Sequence, residues 1–241
     1  MQDWLAPKYL LWLWQGFGVT LGLSLAAGVA ATFGGFGLAL LADARWRFAR
    51  RVVDVYVAAF RNTPLLVQLL FWYFGAATLL PDAATQWLNA AHAVRVGGFE
   101  LRWPSFEFVA GWIGLTFYTS AFVAEEFRAG IAGVAASQRQ AAFALGLTAR
   151  QTFRHVVLPQ AVRISLPPLF GQYMNLVKNS SLTMAIGLAE LSYASRQVET
   201  ETFKTFEAFG VATVLYILAI AVIEAVSHTV AHWRDRSLAR R

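Results

Sequence analysis

Five long apolar runs dominate this sequence and leave few folds open to it. Each is longer than the roughly 20 residues that a helix needs to cross a bilayer. They extend approximately over residues 9–41, 52–80, 104–127, 163–187 and 208–230. Hydrophobic residues make up 57% of the chain and charged residues only 14%, whereas soluble domains are nearer one half and one quarter. The sequence predicts an all-α membrane protein with about five transmembrane helices in a single transmembrane domain over residues 1–241.

The arginines indicate which ends of these runs face the cytoplasm. Four separate the first run from the second, four lie between the third and the fourth, and four end the chain, whereas no outer segment carries more than two basic residues. By the positive-inside rule, this distribution predicts an N-terminus outside and a C-terminus in the cytoplasm. The twelve are Arg45, Arg47, Arg50, Arg51, Arg128, Arg139, Arg150, Arg154, Arg234, Arg236, Arg240 and Arg241.

The polar segment 137–159, between the third and fourth runs, carries the signals of two short helices. A hydroxyl residue followed three positions later by glutamine, the pattern of a capping box, occurs at Ser137 and again at Thr148. Gly146 stands where the first helix should end, and Pro159 should end the second. We predict an ordered cytoplasmic loop of two helices that serves as a docking surface. An ordinary ordered loop is the alternative.

Two cations fall deep inside predicted spans. Arg61 is nine residues into the second run, and Lys178 is eleven residues beyond Pro167. At about 1.5 Å per residue both lie roughly 14–16 Å deep, near the midplane of a hydrocarbon core about 30 Å thick. Ionisable groups at such depth are costly and normally face a cavity or a partner. Glu125, at the end of the third run, is expected to meet an arginine or water.

These cations predict a polar cavity for an anionic or zwitterionic solute. Neighbouring amide and hydroxyl side chains would supply neutral hydrogen bonds, and a kink at Pro64 would free backbone carbonyls. The alternative is that one or both cations pair with carbonyls or with a neighbouring subunit and fix packing only. The predicted solute pathway comprises Arg61, Asn62, Thr63, Lys178, Asn179, Ser180 and Ser181.

Several classes of function find no support in the sequence. There is no cysteine, no G-x-x-x-x-G-K-[ST] phosphate-binding loop and no plausible nucleophile–base set. The histidines show no metal-ligand spacing with carboxylates, so no metal site is predicted. The net charge of +6 comes from arginines at the ends of apolar runs, which indicates membrane orientation and not nucleic-acid binding. We predict a transport subunit and no enzyme.

Segments along nearly the whole chain resemble the permease subunits of polar amino acid ABC importers. The docking loop matches the family motif at Gln140-Ala141-Ala142, Gly146 and Leu158-Pro159, with Gln140 in place of the motif's leading glutamate. Glutamate/aspartate permeases, which similarly carry an amide residue there, are the most similar members. The other matching segments are residues 15–20, 60–68, 126–131 and 174–182.

The resemblance implies a type I importer in a bacterial inner membrane. Its partners would be a second permease subunit, a dimeric ATP-binding subunit and a periplasmic solute-binding protein. The second permease subunit would be either another copy of this chain or a homologous chain. The permease would bind no cofactor, and ATP and Mg would be held by the ATPase. The solute would be glutamate or aspartate. Alternatives are a permease for glutamine, arginine or histidine, and, less favoured, a stand-alone secondary transporter. The residues that would couple to the ATPase are Gln140, Ala141, Ala142, Gly146, Leu158 and Pro159.

Overall fold

Helices account for most of the computed structural model, which describes residues 4–43, 46–90, 93–96, 99–102 and 104–239. The first two helices are α1 (Pro7–Asp43) and α2 (Arg47–Asn62). The Arg50 Nε donates to the Ala42 carbonyl across the short connection, at 3.1 Å. This contact satisfies one of the carbonyls that a helix leaves without an intrahelical partner at its C-terminus.

The second apolar run breaks at Thr63 and Pro64, where a kink within one helix was predicted. The chain leaves the helix after Asn62, Pro64 is extended with φ −58° and ψ 132°, and α3 begins at Leu65 and ends at Leu70. Proline lacks an N–H and disfavours the helical conformation of the residue before it, which explains a complete break. A π-helical turn (Phe71–Gly75) and a 3-10 turn (Ala76–Leu79) complete the run.

The segment between the second and third runs forms a short helix and a hairpin. Helix α4 spans Asp82–Asn89, and the strands β1 (Ala93–Val96) and β2 (Phe99–Arg102) pair antiparallel. The hairpin was not predicted within the all-α class. The turn expected at Gly97 and Gly98 lies outside the described residues.

The third run forms α5, which continues beyond its predicted end at residue 127. It spans Phe106–Ala132, so Glu125 lies two turns before its end. The loop helices α6 (Ala136–Ala144) and α7 (Ala149–Thr152) follow. A π-helical turn (Phe153–Val157) then leads directly into α8 (Leu158–Ser180).

Pro159 does not end the second loop helix, and that prediction was wrong. It is the second residue of α8, directly after the π-helical turn that continues α7. Pro159 has no N–H to donate to the preceding turn, and a local π-helical turn helps to satisfy the backbone groups that a proline leaves free. The fourth run is completed by a 3-10 segment (Ser181–Ile186), after which come α9 (Leu191–Thr202) and α10 (Thr205–Ala239).

Among the described residues, three helices are long and apolar enough to cross a membrane, judged by length and composition. They are Pro7–Asp43, Phe106–Ala132 and Thr205–Ala231. These coincide with the first, third and fifth predicted spans. The second run contains the break at Thr63 and Pro64, and the fourth forms the polar, proline-containing helix α8. The count of five spans stays a prediction.

The chain divides into two compact units. The first comprises Met1–Ala27, Thr63–Phe117 and Leu176–Ala219. Its buried cluster joins α1, α9 and α10 around Leu13 and Leu191. Gly16 permits this contact, because a Cβ there would lie 2.9 Å from the Cβ of Ala194.

The second unit comprises Gly28–Asn62, Tyr118–Asn175 and Ile220–Arg241. Val53 of α2 packs with Ala124 of α5, and Phe127 of α5 packs with Leu169 of α8. Helix α5 is therefore the centre of this unit's packing.

Candidate solute pathway and coupling loop

Arg61 lies on the last turn of α2 and has an acidic partner. Its Nη1 is 3.6 Å from Glu125 Oε2, and its guanidinium lies over the ring of Phe122 at 5.0 Å from the centroid. Glu125 was expected to meet an arginine or water, but its place beside Arg61 was not predicted. The contact depends on the packing of α2 against α5, and the longer α5 brings Glu125 within the helix.

The polar groups around the break in the second run are largely engaged with their own backbone. The Asn62 amide Nδ2 donates to the Ala58 carbonyl at 2.8 Å. The buried Gln68 donates to the Thr63 carbonyl at 3.1 Å. This bond occupies one of the carbonyls that the break was expected to free, and it braces the start of α3.

Lys178 lies near the end of α8 and its side chain is exposed. The hydroxyls of the two serines, Ser180 and Ser181, bond to backbone carbonyls three residues earlier. Ser180 Oγ donates to the Val177 carbonyl at 2.8 Å, and Ser181 Oγ donates to the Lys178 carbonyl at 2.7 Å. Their protons are therefore used within the helix, and Lys178 and the half-buried Asn179 present the side-chain donors at this end of α8.

The predicted pathway residues are divided between the two units. Thr63 and residues 178–181 belong to the first unit, in which α3 packs against the 3-10 segment Ser181–Ile186. Within the same unit, Gly114 of α5 lies against Leu69 of α3. Arg61 and Asn62 belong to the second unit. A single cavity lined by both cations stays a prediction.

The docking loop of residues 137–159, from here on called the coupling loop, has the predicted corner but only one of the two predicted caps. Helix α6 has Ala135 at its N-cap, with no side-chain cap, so the capping box expected at Ser137 was wrong. The one at Thr148 is confirmed, because Thr148 Oγ1 accepts from the Gln151 amide and Gln151 Oε1 accepts from the Thr148 amide. Gly146 has φ +80° and its amide donates to the Phe143 carbonyl, as expected of a glycine after a helix.

The loop presents an apolar patch that the family motif did not indicate. Leu145 is 83% exposed and Phe143 is 52% exposed. Exposed apolar side chains grouped within a polar loop are typical of an interaction surface. The sequence signal was available in the apolar residues around Gly146. The predicted coupling residues Gln140, Ala141, Gly146 and Pro159 are exposed, Leu158 is half-buried and Ala142 is buried.

The loop is held on the end of α5. The Arg139 Nη2 donates to the Ile131 carbonyl at 3.1 Å, and a buried cluster joins Ile131 and Val134 to Val157 and Ala161. A basic side chain that bonds a terminal carbonyl also complements the helix dipole. These contacts give the loop the order expected of a docking element.

Glu190 is fully buried, and no pattern in the sequence analysis singled it out. Its carboxylate accepts from the Tyr216 hydroxyl at 2.7 Å, from Thr20 Oγ1 at 3.2 Å and from the Tyr193 amide at 2.9 Å. Burial raises the pKa of Glu190, and these hydrogen bonds offset part of the rise. The carboxylate caps α9 and ties it to α1 and α10.

These features define a class of protein. Long apolar helices, a cation near the end of a polar helix and an ordered loop are typical of a helical membrane transport protein. Comparison with known proteins identifies the kind of permease. The chain belongs to the family described as binding-protein-dependent transport system inner membrane component, whose family model matches residues 18–240.

The individual relatives are permeases and transporters of amino acids. The chain is 36% identical over 219 residues to the glutamate/aspartate import permease protein GltJ of Escherichia coli strain K12, covering 90% of this chain and 85% of GltJ. It is 29% identical over 220 residues to the glutamine transport system permease protein GlnP of the same strain, covering 91% and 86%. A crystal structure of an amino acid ABC transporter with histidines has a TM-score of 0.77 and 28% identity, covering 92% of this chain and 94% of the other.

The comparisons confirm the family resemblance and the helical membrane fold. The chain is a permease subunit of an amino-acid ABC importer, and the family makes it a transport component, not an enzyme. The relatives differ in the amino acid named for them.

Proposed function

We propose that this chain is the permease subunit of an importer for glutamate or aspartate. The observation that carries the proposal is its similarity to GltJ over most of both chains. The exposed ammonium of Lys178 adds a chemical reason, since it offers a charge-assisted hydrogen bond to a carboxylate. The neighbouring Asn179 would supply neutral hydrogen bonds to the same solute.

The proposed complex contains two permease subunits, a dimeric ATP-binding subunit and a periplasmic solute-binding protein in a bacterial inner membrane. The coupling loop would dock the ATPase through Gln140 and the exposed face beside Gly146. Leu145 and Phe143 would give this contact its apolar part. ATP and Mg would be bound by the ATPase.

A second candidate solute is glutamine. The Arg61–Glu125 ion pair favours glutamine, because the negative charge of Glu125 offsets the positive charge of Arg61. The pathway then offers a solute less net positive charge than if Arg61 and Lys178 were both unpaired. The similarity to GlnP is consistent with this solute.

The test is ATPase activity and uptake by the complex reconstituted in proteoliposomes with its binding protein. Glutamate, aspartate, glutamine, arginine and histidine are supplied one at a time. Stimulation by glutamate and aspartate supports the proposal. Stimulation by glutamine alone supports the second candidate. A chain that brings down no ATPase on purification would contradict both.

A further inference from the structure

Arg61 of α2 contacts two residues of α5, which lie on successive turns of that helix. Its guanidinium lies 3.6 Å from the Glu125 carboxylate and 5.0 Å from the centroid of the Phe122 ring. Phe122 and Glu125 are three residues apart and therefore share one face of α5. A guanidinium held by a carboxylate and an aromatic face has two partners with which a solute carboxylate would compete.

A second arginine shares the same carboxylate. Arg128 Nη1 lies 2.7 Å from Glu125 Oε1 and 3.1 Å from Asp54 Oδ1. The four side chains thus alternate in sign in the order Arg61, Glu125, Arg128, Asp54, and two positive and two negative charges cancel. The cluster as a whole offers no net charge to an anion.

The spacing of these residues sets the register of α2 against α5. Asp54 and Arg61 are seven residues apart, which places them two turns apart on one face of α2. On α5, Arg61 contacts the earlier residue, Glu125, and Asp54 contacts the later one, Arg128. A displacement of either helix by one turn would separate both pairs.

The contact lies at the end of α2, where the chain leaves the helix. Arg61 is the penultimate residue of α2, and Thr63 and Pro64 form the break. The ion pair with Glu125 therefore fixes the last helical turn before the break.

We propose that Arg61 is a positioning residue that holds the end of α2 on α5 through Glu125, and that Lys178, not Arg61, binds the solute carboxylate. This inference rests on the proposed importer function. Loss of the Arg61 contact would disturb the geometry of transport without removing a solute ligand. Loss of this contact therefore lowers the maximal rate of uptake and leaves the KM for solute unchanged.

The experiment compares Arg61→Met, Glu125→Gln and the double variant in the complete reconstituted complex. Arg61→Met leaves Glu125 and Asp54 with Arg128 alone, whereas the double variant leaves the neutral Arg128–Asp54 pair. We expect Arg61→Met to lower maximal uptake about tenfold, a change that corresponds to roughly 1.4 kcal/mol. Glu125→Gln and the double variant should stay within about threefold of Arg61→Met, because all three lose the same contact and the two residues act as one coupled pair.

Two results would overturn the inference. One is a raised KM for solute in Arg61→Met, which is the signature of a lost solute ligand. The other is a double variant whose maximal rate falls by the product of the two single effects, which is the signature of residues that act independently. If Arg61→Met does not assemble with the ATPase, assembly becomes the readout. An equal loss of assembly in Glu125→Gln supports the positioning role of the Arg61–Glu125 pair, and normal assembly of Glu125→Gln contradicts it.

Controls separate this inference from the proposed function. Lys8→Met removes an exposed cation that lies 4.0 Å from Glu201, and it should leave both the maximal rate and the KM unchanged. If the wild-type complex imports none of the five amino acids, the proposed function fails. If it imports one and Arg61→Met raises the KM, only the inference about Arg61 fails.

Discussion

At the scale of single residues, Lys178 and Arg61 differ in their surroundings although both are cations in predicted spans. Lys178 is exposed near the end of α8, whereas Arg61 is placed between Glu125 and Phe122. An ionic group that already has a partner of opposite charge offers less net charge to a ligand. The two residues are therefore expected to respond differently to substitution.

We predict that Lys178→Met weakens solute recognition while the complex still assembles. A hydrogen bond to a charged group contributes roughly 1.5–3 kcal/mol, so the KM for uptake should rise about ten- to a hundredfold. The measurement is uptake as a function of solute concentration, with co-purification of the ATPase as the assembly control. Lys178→Arg should retain much of the affinity. Unchanged uptake by Lys178→Met would end the assignment of Lys178 as a solute ligand.

A second prediction concerns Glu190 and pH. Burial raises its pKa above the ordinary value of 4.5, so the folded protein holds this proton more tightly than the unfolded chain. The resulting stability is fully present below about pH 4.5 and is lost as the pH rises through the folded-state pKa. The Tm of wild type minus that of Glu190→Gln should therefore increase as the pH falls from neutral.

Thermal unfolding in detergent at several pH values tests this expectation. Glu201→Gln, which changes an exposed carboxylate on the same helix, is the matched control. A difference in Tm that does not vary with pH would show that the carboxylate titrates alike in the folded and unfolded chain.

At the scale of elements, the break between α2 and α3 is attributed to Pro64. We predict that Pro64→Ala restores an amide donor and lets α2 continue through residues 63 and 64. Uptake should fall several-fold, because a helix that continues through residues 63 and 64 would change the direction in which the chain enters α3. Hydrogen exchange should show a protected amide at position 64.

The control for this substitution is Pro81→Ala, at the N-cap of α4. Its activity should stay near that of wild type, since a 3-10 turn (Ala76–Leu79) precedes Pro81, and no α-helix ends there that could continue through the new alanine. If Pro64→Ala leaves uptake and amide exchange near position 64 unchanged, the break is imposed by packing around Gln68 and not by the proline.

The corner of the coupling loop gives a prediction with a close control. Gly146 has φ +80°, and a Cβ added there would meet no other part of the chain within 4 Å; Gly18 in α1 is equally unobstructed. Alanine at 146 should cost roughly 1–2 kcal/mol, because a Cβ is strained in the left-handed region. Alanine at 18 should be neutral or stabilising by up to about 1 kcal/mol.

Thermal unfolding and co-purification of the ATPase measure these two variants. Weakened association in Gly146→Ala, with normal association in Gly18→Ala, is the expected result. Equal association in both would show that the loop docks without this corner.

Local patterns explain which elements the sequence could predict. The capping box at Thr148 and the glycine at 146 depend on residues within three positions, and both were found. The capping box predicted from the same pattern at Ser137 was not, because α6 begins one residue before Ser137, directly after Ala135. The end of α5 and the continuation through Pro159 depend on packing and on a π-helical turn, for which the sequence has no simple pattern. The Arg61–Glu125 ion pair joins residues far apart in the chain, and so does the hydrogen bond from Tyr216 to the buried Glu190. Their roles could therefore be seen only in the tertiary structure.

At the scale of the whole molecule, the absence of cysteine from the sequence makes orientation easy to test. Ser105 precedes α5 and Ser137 lies in α6, and both are exposed. We predict that Ser105→Cys is labelled by a membrane-impermeant maleimide added outside the inner membrane. Ser137→Cys should be labelled only after permeabilisation, because the positive-inside rule places the loop in the cytoplasm. The reverse pattern would invert the predicted topology.

The π-helical turn at Phe153–Val157 determines the angular phase between the coupling loop and α8. A residue added to or removed from a helix rotates everything beyond it by about 100°. The contacts of α8 with α5, such as the bond from Gln172 Nε2 to Glu126 Oε1 at 2.9 Å, therefore depend on the wide turn as well as on their own side chains. Deleting one residue from Phe153–Val157 would keep every functional side chain and yet turn that face of α8 away from its partner, so the length of this turn is as constrained as any residue in it.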